Sequence, residues 1–390
     1  MKSSSGTFSK EGSATTGAIN QLLGKSGLKE DLSGKRILIV KPSSLGDIVH
    51  TLPLAHAIKR CFPSCYVGWI VQKTFRAILE SDPAVDEIVP ISIPSTSEPT
   101  AGIWSVVRAT GATLATLRSL RTRFKDRPYD VVLDLHASFR SGLLGLANPN
   151  GLRIGFADAK ELNTLFQHRK IDPASEAVHA VDKNMAFAQY LGCVPDTADF
   201  KIISSRSAGQ SVNAFLTEAG ISRISRLVYA NPAARWATKY WNINAWAELA
   251  DLLIERTGAS VIFAGSPDDL PHIQQITARM KQMPLVAAGK LNLAESVALM
   301  ELCSVYVGVD SGPMHIAAFA GIPVVALFGP TDPSKVGPYG PGHKVIQNSG
   351  VHCLACRKHK CDDRRCLDEI TAAHVFDETI RLVGWKRDAG

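Results

Sequence analysis

The sequence has no uninterrupted apolar run long enough to cross a lipid bilayer. Its longest apolar window, residues 314–328, is broken by Gly321 and Pro323 and falls short of the roughly 20 residues that a membrane-spanning helix needs. The first 34 residues are rich in Ser, Gly and Thr and lack the apolar core of a signal peptide. We therefore predict a disordered leader over 1–34 with a short helix near 19–23, and a cytoplasmic protein in which disulfides are not expected by default.

Two common nucleotide-binding patterns are also missing. The loop after the first predicted strand contains one glycine, Gly46, so it is neither a G-x-G-x-x-G fingerprint nor a Walker loop, and a dinucleotide cofactor is disfavoured. The net charge of +7 is modest and no aromatic-spaced basic motif accompanies it, which argues against nucleic acid as a partner. An anionic substrate or membrane surface is compatible with this charge.

The chain does have the length and the pattern of a two-domain α/β protein. At 390 residues it exceeds the usual size of one core. From residue 35 onward, short apolar runs alternate with longer amphipathic stretches, as in βαβ units around a parallel sheet. We predict two doubly wound, Rossmann-like halves facing a cleft. The N-terminal domain covers 35–210, the C-terminal domain covers 211–370, and a final helix within 371–390 packs back on the first half.

The clearest functional pattern is VDSGPMHIAAFAGIPVVALFGPTDP, residues 309–333. An apolar run ends at Val309, and the tetrapeptide DSGP that follows begins a helix that Ser311 can cap. The free backbone N–H groups at the start of a helix after a parallel strand form a ready anion site. For DSGP alone, an ordinary strand–helix turn is an equal alternative, but His315, one turn into the helix, favours a binding site.

Two further loops place charged residues at strand ends. Asp47, in KPSSLGDIVH, either favours the dipole of the helix that it begins or acts as a general base at the mouth of the cleft. Lys239, in NPAARWATKYW, is either a solvated surface charge or a phosphate ligand at the sheet edge. Asp269 follows the next strand, where an acidic residue suits ribose hydroxyls, although this feature alone is weak.

Cations crowd one stretch of the first half. They are Arg108, Arg118, Arg121, Arg123, Lys125 and Arg127. A solvated helix face is the ordinary explanation of such a charge run. The alternative is a surface that binds a phosphorylated or acidic glycolipid at an anionic membrane. Arg140 and Arg153 follow in loops of the same half and are candidates for contacts with acceptor anions.

Four cysteines fall within HCLACRKHKCDDRRC, inside residues 352–366. They are Cys353, Cys356, Cys361 and Cys366. A CxxC pair with two further cysteines is typical of metal sites, but this spacing is tighter than in the usual zinc modules. Structural zinc, free thiols and redox-sensitive disulfides therefore remain alternatives, and we expect no catalytic metal.

Four segments together resemble one known family. KPSSLGDIVHTLPLAHAIKRCFP, YDVVLDLHASFRSGLL, NPAARWATKYWNINAWAELA and the stretch 309–333 occur in the order seen in the lipopolysaccharide heptosyltransferases, the ADP-heptose-dependent glycosyltransferase family 9. The resemblance covers about residues 35–385. It implies a GT-B fold in which the first domain mainly binds the acceptor and the second mainly binds the donor.

Roles for individual residues also follow from the resemblance. Asp47 matches the family's catalytic base, and Lys239 matches the lysine that contacts the donor's diphosphate and sugar. Ser44, Gly46 and Arg140 are assigned to the acceptor. The donor-binding set implied is Lys239, Asp269, Asp310, Ser311, Gly312 and His315. The family often has Thr in place of Ser311, and some members have hydroxyl side chains in place of Ala233 and Ala234.

The reaction that the resemblance implies is an inverting transfer of heptose from ADP-heptose to the inner core of lipopolysaccharide. It needs neither metal nor cofactor, and the anionic glycolipid acceptor implies peripheral association with the inner face of the cytoplasmic membrane. The alternatives are a family 9 enzyme that uses another nucleotide sugar and a sugar-nucleotide epimerase of similar architecture. A nicotinamide-dependent dehydrogenase and a sugar-binding module with a dead site are more distant rivals.

Overall fold

The structure, a computed structural model, describes residues 27–28, 30–94, 103–221 and 226–386, and for 103–106 it describes the backbone alone. Two six-stranded parallel sheets organise this part of the chain. Both have helices between successive strands, so the predicted α/β architecture of two Rossmann-like halves is confirmed.

The first sheet has the strand order β3-β2-β1-β4-β5-β6. Its strands are β1 (Arg36–Val40), β2 (Tyr66–Gln72), β3 (Glu87–Ile91), β4 (Val131–Asp134), β5 (Leu152–Phe156) and β6 (Arg169–Ile171). In β1, the run from Ile37 to Val40 is fully buried. Parallel strands covered on both faces require such continuous apolar runs, and each buried side chain contributes about 1.5–3 kcal/mol.

The second sheet repeats this arrangement in the order β12-β11-β10-β7-β8-β9. Its strands are β7 (Leu227–Asn231), β8 (Ser260–Phe263), β9 (Leu285–Val286), β10 (Val305–Val309), β11 (Val324–Leu327) and β12 (Lys344–Ile346). In both halves the strand order reverses beside the first strand, between β1 and β4 and between β7 and β10. Ligands of open α/β sheets bind at this reversal point, outside the carboxyl ends of the strands.

The helices cover the faces of the sheets. In the first half they are α1 (Leu45–Val49), α2 (Leu52–Cys61), α3 (Ile103–Lys125), α4 (Phe139–Leu146) and α5 (Ala180–Tyr190). In the second half they are α6 (Arg206–Glu218), α7 (Ile243–Thr257), α8 (Leu270–Thr277), α9 (Leu293–Leu302), α10 (Gly312–Phe319), α11 (Pro333–Val336), α12 (Arg365–Asp368) and α13 (Ala372–Val383). Among the described residues, no helix is long and apolar enough to cross a membrane.

The chain passes from the first half to the second before α6. The Ile202 N–H donates to the carbonyl of Phe319 in the second half (3.0 Å), and α6 packs on α9. Because α6 begins at Arg206, the predicted division between 210 and 211 falls inside a helix. The connection between the halves therefore lies a few residues earlier than predicted.

The C-terminal helix α13 packs on the second half, and the prediction that it returns to the first half is wrong. Its contacts are with α7 and with β10, β11 and β12. Val375, Phe376 and Ile380 join the apolar core of the second half. The strongly one-sided apolar pattern of α13 required an apolar partner, and α7 and the second sheet supply one within the same half.

The predicted disordered leader over 1–34 is wrong for its last residues. The Leu28 N–H donates to the carbonyl of Tyr190 (2.8 Å), and Leu32 is buried in the core. Isolated leucines among polar residues carry no periodic signal, so the sequence pattern does not reveal this packing. The short helix predicted at 19–23 lies outside the described residues.

Candidate active site

Loops from the reversal points of both sheets meet at the junction of the halves. Residues 41–44 follow β1, residues 232–242 follow β7, and residues 310–311 follow β10. The two helices that begin after β1 and β10, α1 and α10, contact each other across the junction. The structure thus brings together Asp47 of the first half with the predicted donor-binding residues after β10.

Asp47 lies in the first turn of α1 and is held there by Ser44. Its carboxylate accepts hydrogen bonds from the Ser44 backbone N–H (2.9 Å) and hydroxyl (2.7 Å), and Lys41 Nζ lies 3.9 Å from its other oxygen. Burial acts to raise the pKa of Asp47, but Lys41 and the Ser44 hydrogen bonds outweigh it and hold the pKa well below its usual value. Asp47 is therefore ionised at neutral pH, and 47% of its side chain remains accessible to a ligand.

Lys239 is paired with Asp310. Its Nζ lies 2.6 Å from Asp310 Oδ2, and the same oxygen accepts a hydrogen bond from the Thr331 hydroxyl (2.5 Å). Both partners of the ion pair are largely buried. Because the three side chains come from the loops after β7, β10 and β11, three neighbouring strands fix one ammonium group next to the start of α10.

Ser311 occupies the N-cap position of α10, but its hydroxyl does not cap the helix as predicted. It donates instead to Asn231 Oδ1 (2.9 Å), and the Asn231 amide donates to the Ala264 carbonyl (3.1 Å). The first-turn N–H groups of α10 are thus left without a Ser311 cap, and Pro313 has no N–H to satisfy. A helix start in this state suits an anion.

Three buried histidines join the two halves at this junction. His50 Nε2 lies 2.9 Å from His315 Nδ1, and the rings of His50 and His179 meet edge-on with centroids 5.3 Å apart. His179 Nε2 donates to the Gly337 carbonyl (3.1 Å), while its Nδ1 accepts from the Val181 N–H (3.2 Å). First-half and second-half residues thus share two of the buried polar contacts described here, His50 with His315 and His179 with Gly337.

Burial keeps these histidines neutral. It lowers the pKa of His50 and of His179 below the usual value, and it lowers the pKa of His315 to about 3. Asp47 acts to raise the pKa of His315 and Lys239 acts to lower it. The His315 ring therefore lies within electrostatic reach of both candidate catalytic groups.

Two glycines allow the close contact of the halves. A Cβ added to Gly46 would lie 2.7 Å from His315 Cδ2, and a Cβ added to Gly312 would lie 2.7 Å from Leu45 Cδ2. Both distances are shorter than real contacts of this kind. Close packing across the junction therefore explains why both positions are glycine. The predicted contact of Gly46 with an acceptor stays a prediction.

Two predicted site residues have other partners in the structure. Asp269 Oδ2 accepts hydrogen bonds from the Ser266 N–H and hydroxyl (both 2.7 Å), and it acts to raise the pKa values of Tyr240 and His272. Asp269 is therefore near the loop that carries Lys239. The half-buried Arg140 donates to the carbonyl of Pro94 (3.2 Å), on the first half.

The four clustered cysteines are free thiols. Cys366 is buried while Cys353 is exposed. Burial raises the pKa of Cys366 to about 11, and the other three thiols act in the same direction. Among the described residues, no group of His, Cys, Asp or Glu is arranged to hold a metal ion.

Comparison with known sequences decides the family. The sequence profile of glycosyltransferase family 9 (heptosyltransferase) matches residues 117–366, which is more than half of the chain. The chain belongs to glycosyltransferase family 9. It is 29% identical over 317 residues to the lipopolysaccharide core heptosyltransferase OpsX of Haemophilus influenzae, covering 80% of this chain and 84% of that protein.

Two solved structures share the fold of this family 9 chain. The glycosyl transferase family 9 protein from Veillonella parvula has a TM-score of 0.78 and 23% identity, covering 91% of this chain and 98% of its own. The E. coli heptosyltransferase WaaC with ADP has a TM-score of 0.68 and 23% identity, covering 89% and 99%. These likenesses confirm the GT-B fold, and the family match favours a glycosyltransferase over an epimerase.

Several residues of this family 9 site escaped the sequence analysis. Lys41 donates to the Leu135 carbonyl (2.7 Å) and faces Asp47. Asn231 and Thr331 orient Ser311 and Asp310. Lys41 and Asn231 follow or end the first strand of their half, beside the reversal point, and this position was the available signal. Thr331 carried no local signal.

The buried histidines of this family 9 protein predict an acid-sensitive fold. The folded protein holds His315 neutral, whereas the unfolded chain protonates it below about pH 6.5, so stability is lost as pH falls through that value. Each such histidine lowers the free energy of unfolding by about 1.4 kcal/mol per pH unit between its two pKa values.

The measurement is urea unfolding at several pH values between about 7 and about 5. His315→Gln should unfold with a shallower pH dependence than the unmodified protein, because the variant has one fewer group to protonate. Equal slopes for the two proteins would contradict the neutral assignment of His315, whatever the variant's stability at neutral pH.

Proposed function

We propose that this protein is an inverting glycosyltransferase that transfers heptose from ADP-heptose to the inner core of lipopolysaccharide. The proposal depends on one observation: α1 of the first half, which carries the ionised Asp47, contacts α10 of the second half, and α10 begins just after the Asp310 that pairs with Lys239. Two relatives support the substrates, because OpsX is named a lipopolysaccharide core heptosyltransferase and WaaC was solved with ADP.

In this proposal the second half is the donor domain. Lys239 and the first N–H groups of α10 bind the diphosphate, and Asp269 accepts hydrogen bonds from the ribose. A diphosphate is a good leaving group, so it needs charge stabilisation rather than an acid. The Lys239 ammonium, which lies 2.6 Å from Asp310, supplies that charge.

The first half is the acceptor domain, and Asp47 is its general base. As the acceptor hydroxyl attacks the anomeric carbon, its proton passes to the Asp47 carboxylate and the bond from that carbon to the diphosphate oxygen breaks. Attack from the domain opposite the diphosphate inverts the anomeric configuration. Ser44 fixes the carboxylate through two hydrogen bonds, which favours a defined approach of the hydroxyl.

The transfer is proposed to proceed without a metal ion. The sequence has no DxD-like pair beside the candidate donor site, and one lysine together with a helix start can balance the developing charge.

The acceptor is proposed to be reached at the inner face of the cytoplasmic membrane. The six cations from Arg108 to Arg127 are all exposed, and Arg123 also pairs with Glu87 (2.6 Å). Exposed cations attract anionic lipid headgroups and acidic sugars, so they support peripheral association. The half-buried Arg140 is proposed to contact acceptor anions, and a nucleic-acid partner is not proposed.

The first experiment is calorimetric titration with ADP, UDP, GDP and NAD in the presence of EDTA. We expect ADP to bind selectively. A transfer assay with ADP-heptose and a core-truncated lipopolysaccharide, again in EDTA, should then give a product with inverted anomeric configuration. Preference for UDP or GDP would discard the heptose donor, and binding of NAD alone would overturn the proposal. Conversion of the nucleotide sugar without acceptor would favour an epimerase.

A further inference from the structure

A segment outside the four that carry the family resemblance packs against the candidate donor site. The Cys-rich segment, residues 353–366, contacts the turn that carries Thr331: the Ala355 N–H donates to the Gly329 carbonyl (3.0 Å) and the Arg357 N–H donates to the Pro330 carbonyl (2.7 Å). Both donor residues have positive φ values, 59° for Ala355 and 58° for Arg357. This left-handed backbone conformation costs energy in residues other than glycine, and it persists where surrounding contacts enforce it.

The same segment also contacts the loop that carries Lys239. The buried Thr238 hydroxyl donates to the Lys358 carbonyl (2.9 Å), and Arg364 donates to the Tyr240 carbonyl. The His359 ring lies 3.8 Å from the Trp236 ring, centroid to centroid. Both residues adjacent to Lys239 in sequence are therefore bonded to the Cys-rich segment.

Trp236 connects these contacts to the ammonium group. Lys239 Nζ lies 4.8 Å from the centroid of the Trp236 ring, within the range of a cation–π interaction. The ammonium thus has two neighbours of different kinds: the Asp310 carboxylate, which competes with a phosphate for it, and the indole face, which does not.

We propose that the Cys-rich segment is a clamp on the donor site and that Trp236 is a positioning residue for Lys239. The segment holds the loop 236–240 through Thr238 and Trp236, and Trp236 in turn holds the Lys239 ammonium where the diphosphate arrives. The inference rests on the proposed role of Lys239 in binding the donor diphosphate. It assigns a function to residues 353–366 that requires neither metal nor disulfide.

The test separates phosphate binding from nucleoside binding. ADP and adenosine are titrated into the full-length protein and into Trp236→Leu, Trp236→Phe and Thr238→Val. Trp236→Leu should weaken ADP binding about 3- to 10-fold, because it removes one cation–π contact, and should leave adenosine binding unchanged. Trp236→Phe retains an aromatic face and should stay within about 2-fold of the unmodified protein. Thr238→Val should weaken ADP binding selectively, like Trp236→Leu.

A matched control is available at the other end of β7, just before the strand begins. The Arg226 guanidinium, just before β7, lies 5.5 Å from the ring centroid of Trp385. Trp385→Leu removes a similar cation–π pair from a half-buried tryptophan and should alter neither ADP nor adenosine binding.

Each outcome discriminates between the inference and the function on which it rests. Unchanged ADP binding in Trp236→Leu and Thr238→Val, together with lost ADP binding in Lys239→Met, would overturn the clamp and leave the proposed function intact. Equal losses for ADP and adenosine would also overturn it, because the effect would then be general damage to the site. Full ADP affinity in Lys239→Met would overturn the proposed donor site itself.

Discussion

Asp47→Asn should lower the turnover number by about 10²- to 10³-fold while leaving ADP affinity unchanged. General-base catalysis contributes about 10²- to 10⁴-fold, and the lower part of that range is expected because Lys41 and Ser44 hold the pKa of Asp47 below its usual value, which makes the carboxylate a weak base. The asparagine keeps the size of the side chain and an oxygen that can accept from Ser44. The measurement is the steady-state rate with ADP-heptose and a core-truncated acceptor.

A control for the structural role of Asp47 lies in α9. Glu295 also accepts a hydrogen bond from the backbone of its N-cap residue, Asn292 (2.9 Å), as Asp47 does from Ser44. Glu295→Gln should cost similar stability, about 0.5–2 kcal/mol, with normal turnover. If Asp47→Asn turned over normally, or if both variants lost activity alike, Asp47 would not be the base.

Lys239→Met should weaken ADP binding by about 10- to 100-fold, the value of a charge-assisted contact with a phosphate. Turnover with ADP-heptose should fall further, because the charge that develops on the leaving diphosphate loses its partner. Calorimetric titration measures the first effect and initial rates at saturating donor measure the second. Adenosine binding should not change.

The ion pair with Asp310 requires a second variant in the same experiment. Removing Lys239 leaves Asp310 buried and uncompensated, which can cost about 3–5 kcal/mol of stability. In the double variant Lys239→Met with Asp310→Asn, this charge is removed, so we expect the free energy of unfolding to recover. ADP affinity that recovered together with stability would show that the loss came from Asp310 rather than from the missing ammonium.

Local patterns predicted most of the fold because the strands beside the reversal points are continuously apolar or nearly so. β1, β4, β7 and β10 are the innermost strands of their sheets, and parallel packing demands continuous apolar runs there. The strands β5, β6 and β12 were not predicted. In β5 the apolar run is interrupted by Arg153 and Gly155. The other two strands have three residues each at a sheet edge, and β6 begins with two exposed cations, so neither carries a recognisable pattern.

Contacts between segments that are distant in the chain could not be predicted from the sequence, for a different reason. Asp47, Lys239 and the start of α10 were predicted separately, since each follows a strand. The pairing of Lys239 with Asp310 spans 71 positions and that of His50 with His315 spans 265. Such pairs are set by tertiary packing and leave no periodic trace. The packing of α13 was mispredicted for the same reason, because an amphipathic helix shows that it has a partner without showing which one.

The glycines at the junction have a consequence for the spacing of the two substrates. Gly46 abuts the His315 ring and Gly312 abuts the Leu45 side chain, at distances where even one methyl group would collide. The spacing between the Asp47 carboxylate and the Lys239 ammonium therefore depends on the absence of a side chain at both glycines. A misplacement of about 1 Å can cost about 10²-fold in rate. The precision with which this enzyme positions its substrates therefore depends on two residues that have no side chain.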